Sequence, residues 1–279
     1  MKKKNVTKEK DGKKALTLIV MAAFVAVIAL CAGISIAYAK LKHTFNLQCC
    51  ITNAGEQVEI RIEPGKIIKQ DFIIDHFSLT NGVNLTQIPF SKLREQLLSA
   101  AKELQDIRIT KTLPNKISVT VLERIPKVRV LGLNQNFVAD SDGIVFWYPL
   151  RLSTTLPIIR QSKSNTTKKG ERLSGMSLSA LWLLEEASDP QFSVLKIQEV
   201  DTYKKDYLLA TLGDSSRVKI AWEDMEKDTK KSRTSLRRQL LNLSDAVKSN
   251  IASGTKLWNA TDWGSPSRIY ANDPTKVED

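Results

Sequence analysis

The chain has 279 residues, with 42 Lys and Arg against 30 Asp and Glu for a formal net charge of +12, and it holds only 2 His and 3 Cys. Two histidines leave little material for a metal centre or a histidine-activated nucleophile, and Cys31 with the adjacent pair Cys49-Cys50 does not support a disulfide framework, because neighbouring cysteines close a strained ring. Part of the positive charge is a lysine-crowded amino terminus that suits anionic lipid heads better than nucleic acid.

That basic tail, residues 1–14, carries Lys2, Lys3, Lys4, Lys8, Lys10, Lys13 and Lys14 against Glu9 and Asp11. Behind it, Ala15 to Ala39 contains no charge and exceeds the roughly 20 residues that a helix needs to cross a bilayer core. The positive-inside bias predicts a cytoplasmic amino terminus, a membrane span over 15–39, a juxtamembrane linker over 40–45, and all later residues outside the cytoplasm. Ala37-Tyr38-Ala39 matches a signal-peptidase site, but the apolar run is longer than the roughly 7–15 residues of a cleaved signal, which favours a retained anchor.

Beyond the linker the reading is mixed α/β. Val58 to Ile62 alternates as a strand and Glu63-Pro64-Gly65 ends it. A helix-like stretch follows from Ile67 to Phe77, closed around Asn81-Gly82, and Pro89 opens a second helix with Phe90, Leu93, Leu97, Ala101 and Leu104 on one face. Ile107 and Ile109, the turn at Pro114-Asn115, and Ile117, Val119 and Val121 then alternate as a hairpin with one wet face. Strand, helix, helix, strand, strand makes a small α+β unit over 46–125.

From Pro126 the pattern becomes β-rich, over 126–271. Strands are predicted at Val128–Leu131, Phe137–Ala139, Ile144–Trp147, Val194–Val200, Tyr207–Leu212 and Val218–Trp222, in an antiparallel sheet with flanking helices at Met176–Ala187 and about Glu223–Lys248. Leu236, Leu240, Leu243 and Val247 form the apolar stripe of the last helix, and residues 272–279 read as a loose tail.

No chemical motif stands up. Ser-x-x-Lys recurs at Ser99, Ser193, Ser216 and Ser253 without the Ser-x-Asn and Lys-Thr-Gly companions of a cell-wall transpeptidase, so chance explains it. Asp140-Ser141-Asp142-Gly143 lacks the glycine and glutamate of a calcium loop and reads as a hairpin turn. No phosphate-binding glycine loop is present, so no cofactor or catalytic residue is assigned.

Several segments carry a resemblance: Gly82-Val83-Asn84-Leu85, Ile88-Pro89-Phe90-Ser91-Lys92-Leu93, Ile107-Arg108-Ile109, and the run from Ile117 through Glu123-Arg124-Ile125-Pro126. With Asp140 to Phe146 and Leu156-Pro157-Ile158, they resemble the bacterial cell-division family FtsQ/DivIB. Two positions depart from the family pattern, Lys127 after the Glu-Arg-x-Pro step and Ala260-Thr261-Asp262-Trp263 near the carboxyl end. The resemblance implies a POTRA domain followed by a β-rich domain, in a single-span, non-enzymatic scaffold at the division septum. It also implies partners, FtsB/DivIC-like and FtsL-like single-span proteins, with no nucleic acid and no small-molecule substrate. The implied partner-binding residues are Ser267, Arg268, Ile269 and Tyr270, on an edge strand that a partner extends by backbone hydrogen bonds. The rivals are an anchored cell-wall enzyme, which needs a convergent polar site, and a POTRA-bearing transport component, which carries several such units and a barrel.

Overall fold

A computed structural model of the chain describes residues 4–132, 137–162, 166–249, 256–262 and 267–269. It is a mixed α+β protein with an apolar amino-terminal helix and a large β-rich sheet. The chain divides into two compact units, one of residues 1–61, 71–93 and 109–119, the other of residues 62–70, 94–108 and 120–279.

The first helix, α1, runs Lys4–Gln48, and its Phe24–Gln48 portion is long and apolar enough to cross a membrane. It does not stop at Ala39: Lys40 to Gln48 contains no Gly or Pro, and Thr44 Oγ1 donates to the Lys40 carbonyl at 3.0 Å within the continuing turn. The stop comes from outside the helix. Asn84 Nδ2 donates to the Asn46 carbonyl at 2.9 Å, satisfying one of the orphan acceptors at the helix end, and Cys50 leaves the helix to form an isolated antiparallel bridge with Asn84.

The next elements are α2 (Ala54–Gln57), β1 (Val58–Glu63), α3 (Gln70–Phe77), α4 (Phe90–Ala100), β2 (Leu104–Thr112) and β3 (Lys116–Glu123). The three strands form a sheet in the order β1-β3-β2. Ile117, Val119 and Val121 are buried and alternate with more exposed neighbours, the one-sided pattern expected of them. Leu104, placed by its spacing on the helix face, instead opens β2, because α4 ends at Ala100. Helix α3 starts three residues later than Ile67 because the amides of Lys66, Ile67 and Ile68 are held by the Glu123 carboxylate.

The remaining elements are β4 (Val128–Leu131), β5 (Phe137–Ala139), β6 (Val145–Trp147), α5 (Leu150–Ser153), β7 (Ile158–Arg160), α6 (Gly175–Ala187), β8 (Glu199–Asp201), β9 (Leu208–Thr211), β10 (Arg217–Ile220), α7 (Lys230–Lys248), β11 (Leu257–Ala260) and β12 (Ser267–Ile269). All strands from β4 onward join one nine-stranded sheet, ordered β12-β11-β10-β9-β8-β7-β4-β5-β6. The antiparallel expectation needs correcting, since β4–β7, β7–β8 and β10–β11 pair in parallel. Helix α6 lies between β7 and β8 and α7 between β10 and β11, and a helical crossover returns the chain in the same direction.

Two further boundaries differ. Residues 194–198 are not strand, because Asp189 caps a short 3₁₀ turn over Pro190–Phe192 and the chain enters β8 only at Glu199. Helix α7 begins at Lys230 instead of Glu223, where the Thr229 side chain accepts from the Ser232 amide at 3.1 Å. Its stripe of Leu236, Leu240, Leu243 and Val247 joins Ala180, Leu181 and Leu183 of α6 and the inward residues Val130, Ile159, Val200, Ala210, Val218 and Trp258 in a single core. Burial of each Leu, Ile or Val side chain among them is worth about 1.5–3 kcal/mol, and the shared core ties the helices to the sheet.

Candidate partner-binding edge

The sequence placed the candidate site on Ser267, Arg268, Ile269 and Tyr270. Ser267–Ile269 is β12, the outermost strand of the nine-stranded sheet, while Tyr270 lies outside the described residues. β12 pairs antiparallel with β11, with Leu257 opposite Ile269, Trp258 opposite Arg268 and Asn259 opposite Ser267.

The backbone direction at this edge follows from the neighbouring ladder. Arg217 N–H donates to the Lys256 carbonyl at 2.9 Å and Ala221 N–H to the Ala260 carbonyl at 3.2 Å, flanking the parallel pairing of β10 with β11. That pattern turns the amide and carbonyl of Trp258 toward β10, and those of Leu257 and Asn259 toward β12. Ser267 and Ile269 are therefore the hydrogen-bonded partners of β11. Arg268, opposite Trp258, directs its own N–H and C=O away from β11, to a side with no neighbouring strand among the described residues.

β11 is anchored from behind. Gln239, 2% exposed within the apolar stripe of α7, donates its side-chain amide to the carbonyls of Ala260 and Asp262. Trp258 and Ala260 point into the core, and the Asn259 carboxamide oxygen accepts from Thr261 Oγ1 at 2.7 Å, so the strand that carries β12 is fixed on both faces. At the opposite end of the sheet the outer strand is β6. Val145 of β6 exchanges hydrogen bonds with Glu171 and Gly170 at 2.9 and 2.7 Å, which covers part of that edge.

Sequence reasoning did not single out Gln239 or β11. A long polar side chain among the leucines of the buried face was the available signal for the first. For the second it was a tryptophan in a four-residue segment too short to show alternation.

Between β8 and β7, Arg160 Nη2 pairs with Glu199 at 2.7 Å, and its Nε lies 3.3 Å from Asp201 as an ion pair without hydrogen-bond geometry. Burial, then the neighbouring Glu199 charge, push the Asp201 carboxyl above its ordinary range, with Arg160 and Arg217 opposing.

The Glu123-Arg124-Ile125-Pro126 step has its own geometry. Glu123, 2% exposed, accepts the amides of Lys66, Ile67 and Ile68 at 2.8, 2.9 and 2.6 Å. Arg124 pairs with Asp140 at 2.5 Å and donates to the Lys102 carbonyl at 3.1 Å. Burial and the Glu123 charge raise the Tyr148 phenol above its usual value. Asp140 also accepts the Ile144 amide at 2.8 Å, so its carboxylate closes the hairpin whose Gly143 sits at φ +79°. Of the serines weighed as nucleophiles, Ser99 donates to the Gln96 carbonyl and Ser216 to Asp214, while Ser253 lies outside the described residues.

Part of this chain is similar to a known protein. Over 86 residues, 31% of this chain and 34% of the relative, it is 28% identical to the cell division protein DivIB of Clostridium acetobutylicum. The chain thus spans about a third of the length of the curated relative it matches. No family model matches the chain. The likeness, with one apolar helix near the amino terminus, is consistent with the FtsQ/DivIB family.

Proposed function

We propose that this chain is a non-enzymatic, single-span scaffold of the bacterial division machinery. Its extracytoplasmic part recruits and regulates septal cell-wall synthesis by protein contacts. On this reading β1-α3-α4-β2-β3 is a POTRA domain, the nine-stranded part is the β-rich domain of FtsQ/DivIB proteins, and the amino terminus is cytoplasmic.

The observation that carries the proposal is the outward-facing backbone of Arg268 on the terminal strand β12. An extended segment of an FtsB/DivIC-like partner, itself assembled with an FtsL-like protein, adds to that edge. Main-chain hydrogen bonds supply affinity, and alternate side chains supply selection.

The test is co-purification from membranes of the native host, using the full chain with a tag. The proposal expects small single-span division proteins of the FtsB/DivIC and FtsL type to come with it. Recovery of the chain without them, under conditions that keep other membrane complexes intact, would overturn it.

A further inference from the structure

Within the first compact unit, the last turns of α1 and the segment from Phe77 to Leu93 enclose a groove of about 860 Å³. Its wall on one side is the carboxyl end of the helix that is apolar enough to span a membrane. The opposite wall includes Ile88, Pro89 and Leu93, and Gly82 contributes no side chain there, with nothing within 4 Å of the place a Cβ would occupy.

Three features of the groove point to one class of occupant. Apolar surface continues past the uncharged run, since Leu47, 61% exposed, lines the groove, and Leu41 and Phe45 are exposed on α1 outside it. Lys40 and Lys42 follow that run directly and have no ion-pair partner among the described residues, and Lys42 with His43 lines the groove. Further polar lining comes from Ser78 and the side-chain amides of Asn46 and Gln87, which suit phosphodiester and glycerol oxygens, while the Asn84 amide is engaged with the Asn46 carbonyl. A cation and amides at the end of a span, joined to apolar walls that continue the span, match a molecule with acyl chains in the bilayer and an anionic head at its surface.

We propose that this groove seats an anionic glycerophospholipid, its glycerophosphate beside Lys42, Asn46 and Gln87 and its acyl chains leaving past Ala39 along the uncharged run of α1. The proposal rests on α1 being retained as a membrane span and is independent of the β12 edge. One lysine near an anionic headgroup is worth about 1 kcal/mol, or roughly fivefold in occupancy.

Native mass spectrometry of the full chain released from mild detergent micelles tests it, with phosphatidylglycerol, phosphatidylcholine and glycerol 3-phosphate as probes. Phosphatidylglycerol is expected to remain bound at about one per chain, roughly fivefold above phosphatidylcholine, with no retention of glycerol 3-phosphate. Lys42→Gln lowers that retention about fivefold. Gln87→Trp, at an exposed groove position outside α1, also lowers it and leaves the flanking charge of the span intact. Equal retention of the two lipids, or retention unchanged in both variants, would mean non-specific lipid around α1 and overturn the proposal. Retention of glycerol 3-phosphate as strong as that of the lipid would also overturn it, in favour of a free-anion site.

Discussion

Trp258 and Arg268 face each other across β11 and β12 as a non-hydrogen-bonded pair, so the backbone of Trp258 serves β10 while that of Arg268 faces outward. Proline substitutions at adjacent positions of β12 should therefore act differently. Ile269→Pro removes the donor that reaches β11, and amide hydrogen exchange at Leu257 and Asn259 should accelerate. Arg268→Pro removes an N–H that points away from β11, so exchange at those two amides should stay near wild type. Equal acceleration in both variants would contradict the deduced ladder.

Glu123 is the most heavily used buried carboxylate at the entry to the β-rich part, accepting three backbone amides. Glu123→Ala leaves those donors without their acceptor and should cost about 2–5 kcal/mol of stability. Urea unfolding followed by tryptophan fluorescence measures this, and a cost under about 0.5 kcal/mol would show that water replaces the carboxylate freely.

Burial holds the Glu185 carboxyl above its ordinary value of 4.5, with Arg233 and Lys127 opposing the shift. A raised carboxylate favours the unfolded chain once pH exceeds that ordinary value, because the unfolded state releases its proton first. Glu185→Gln should therefore stabilise the protein at pH 7, and the gain should shrink as pH falls toward and below 4.5. Thermal unfolding of both forms between pH 4 and 7 checks the sign; a variant less stable at pH 7 than at pH 4, relative to wild type, would reverse it.

Lysines crowd the amino side of the uncharged run Ala15 to Ala39, so a reporter fused after Asp279 should be active only outside the cytoplasm. Intact mass of the membrane-extracted protein should include residues 1–39. Loss of that segment would identify Ala37-Tyr38-Ala39 as a cleavage site.

The parts of the fold legible in the sequence are those where one face is buried and the other wet. Ile117, Val119 and Val121 mark β3 by period two, and Leu236, Leu240, Leu243 and Val247 mark α7 by helical spacing. Short strands buried by their neighbours gave little to read. β7, Ile158–Arg160, and β11, Leu257–Ala260, owe their strand geometry to parallel partners that no local window contains, β8 and β10 across the helices α6 and α7 and β4 beyond the β5–β6 hairpin. Helix boundaries moved where a side chain distant in sequence intervened, as Glu123 does ahead of α3 and Asn84 does at the end of α1. At the candidate edge, residues Ser267 to Ile269 were legible as a strand, but the direction of each amide depended on the register with β11 and β10.

The central claim is that a partner strand extends the sheet through the backbone of Arg268. The most direct measurement is pull-down of FtsB/DivIC-like protein from membranes by full-length wild type, Arg268→Pro and Arg268→Ala. The account predicts that Arg268→Pro abolishes capture while its circular dichroism matches wild type, and that Arg268→Ala, which keeps the N–H and C=O, retains most of it. Undiminished capture by a folded Arg268→Pro protein would contradict the account and remove this edge as the binding site.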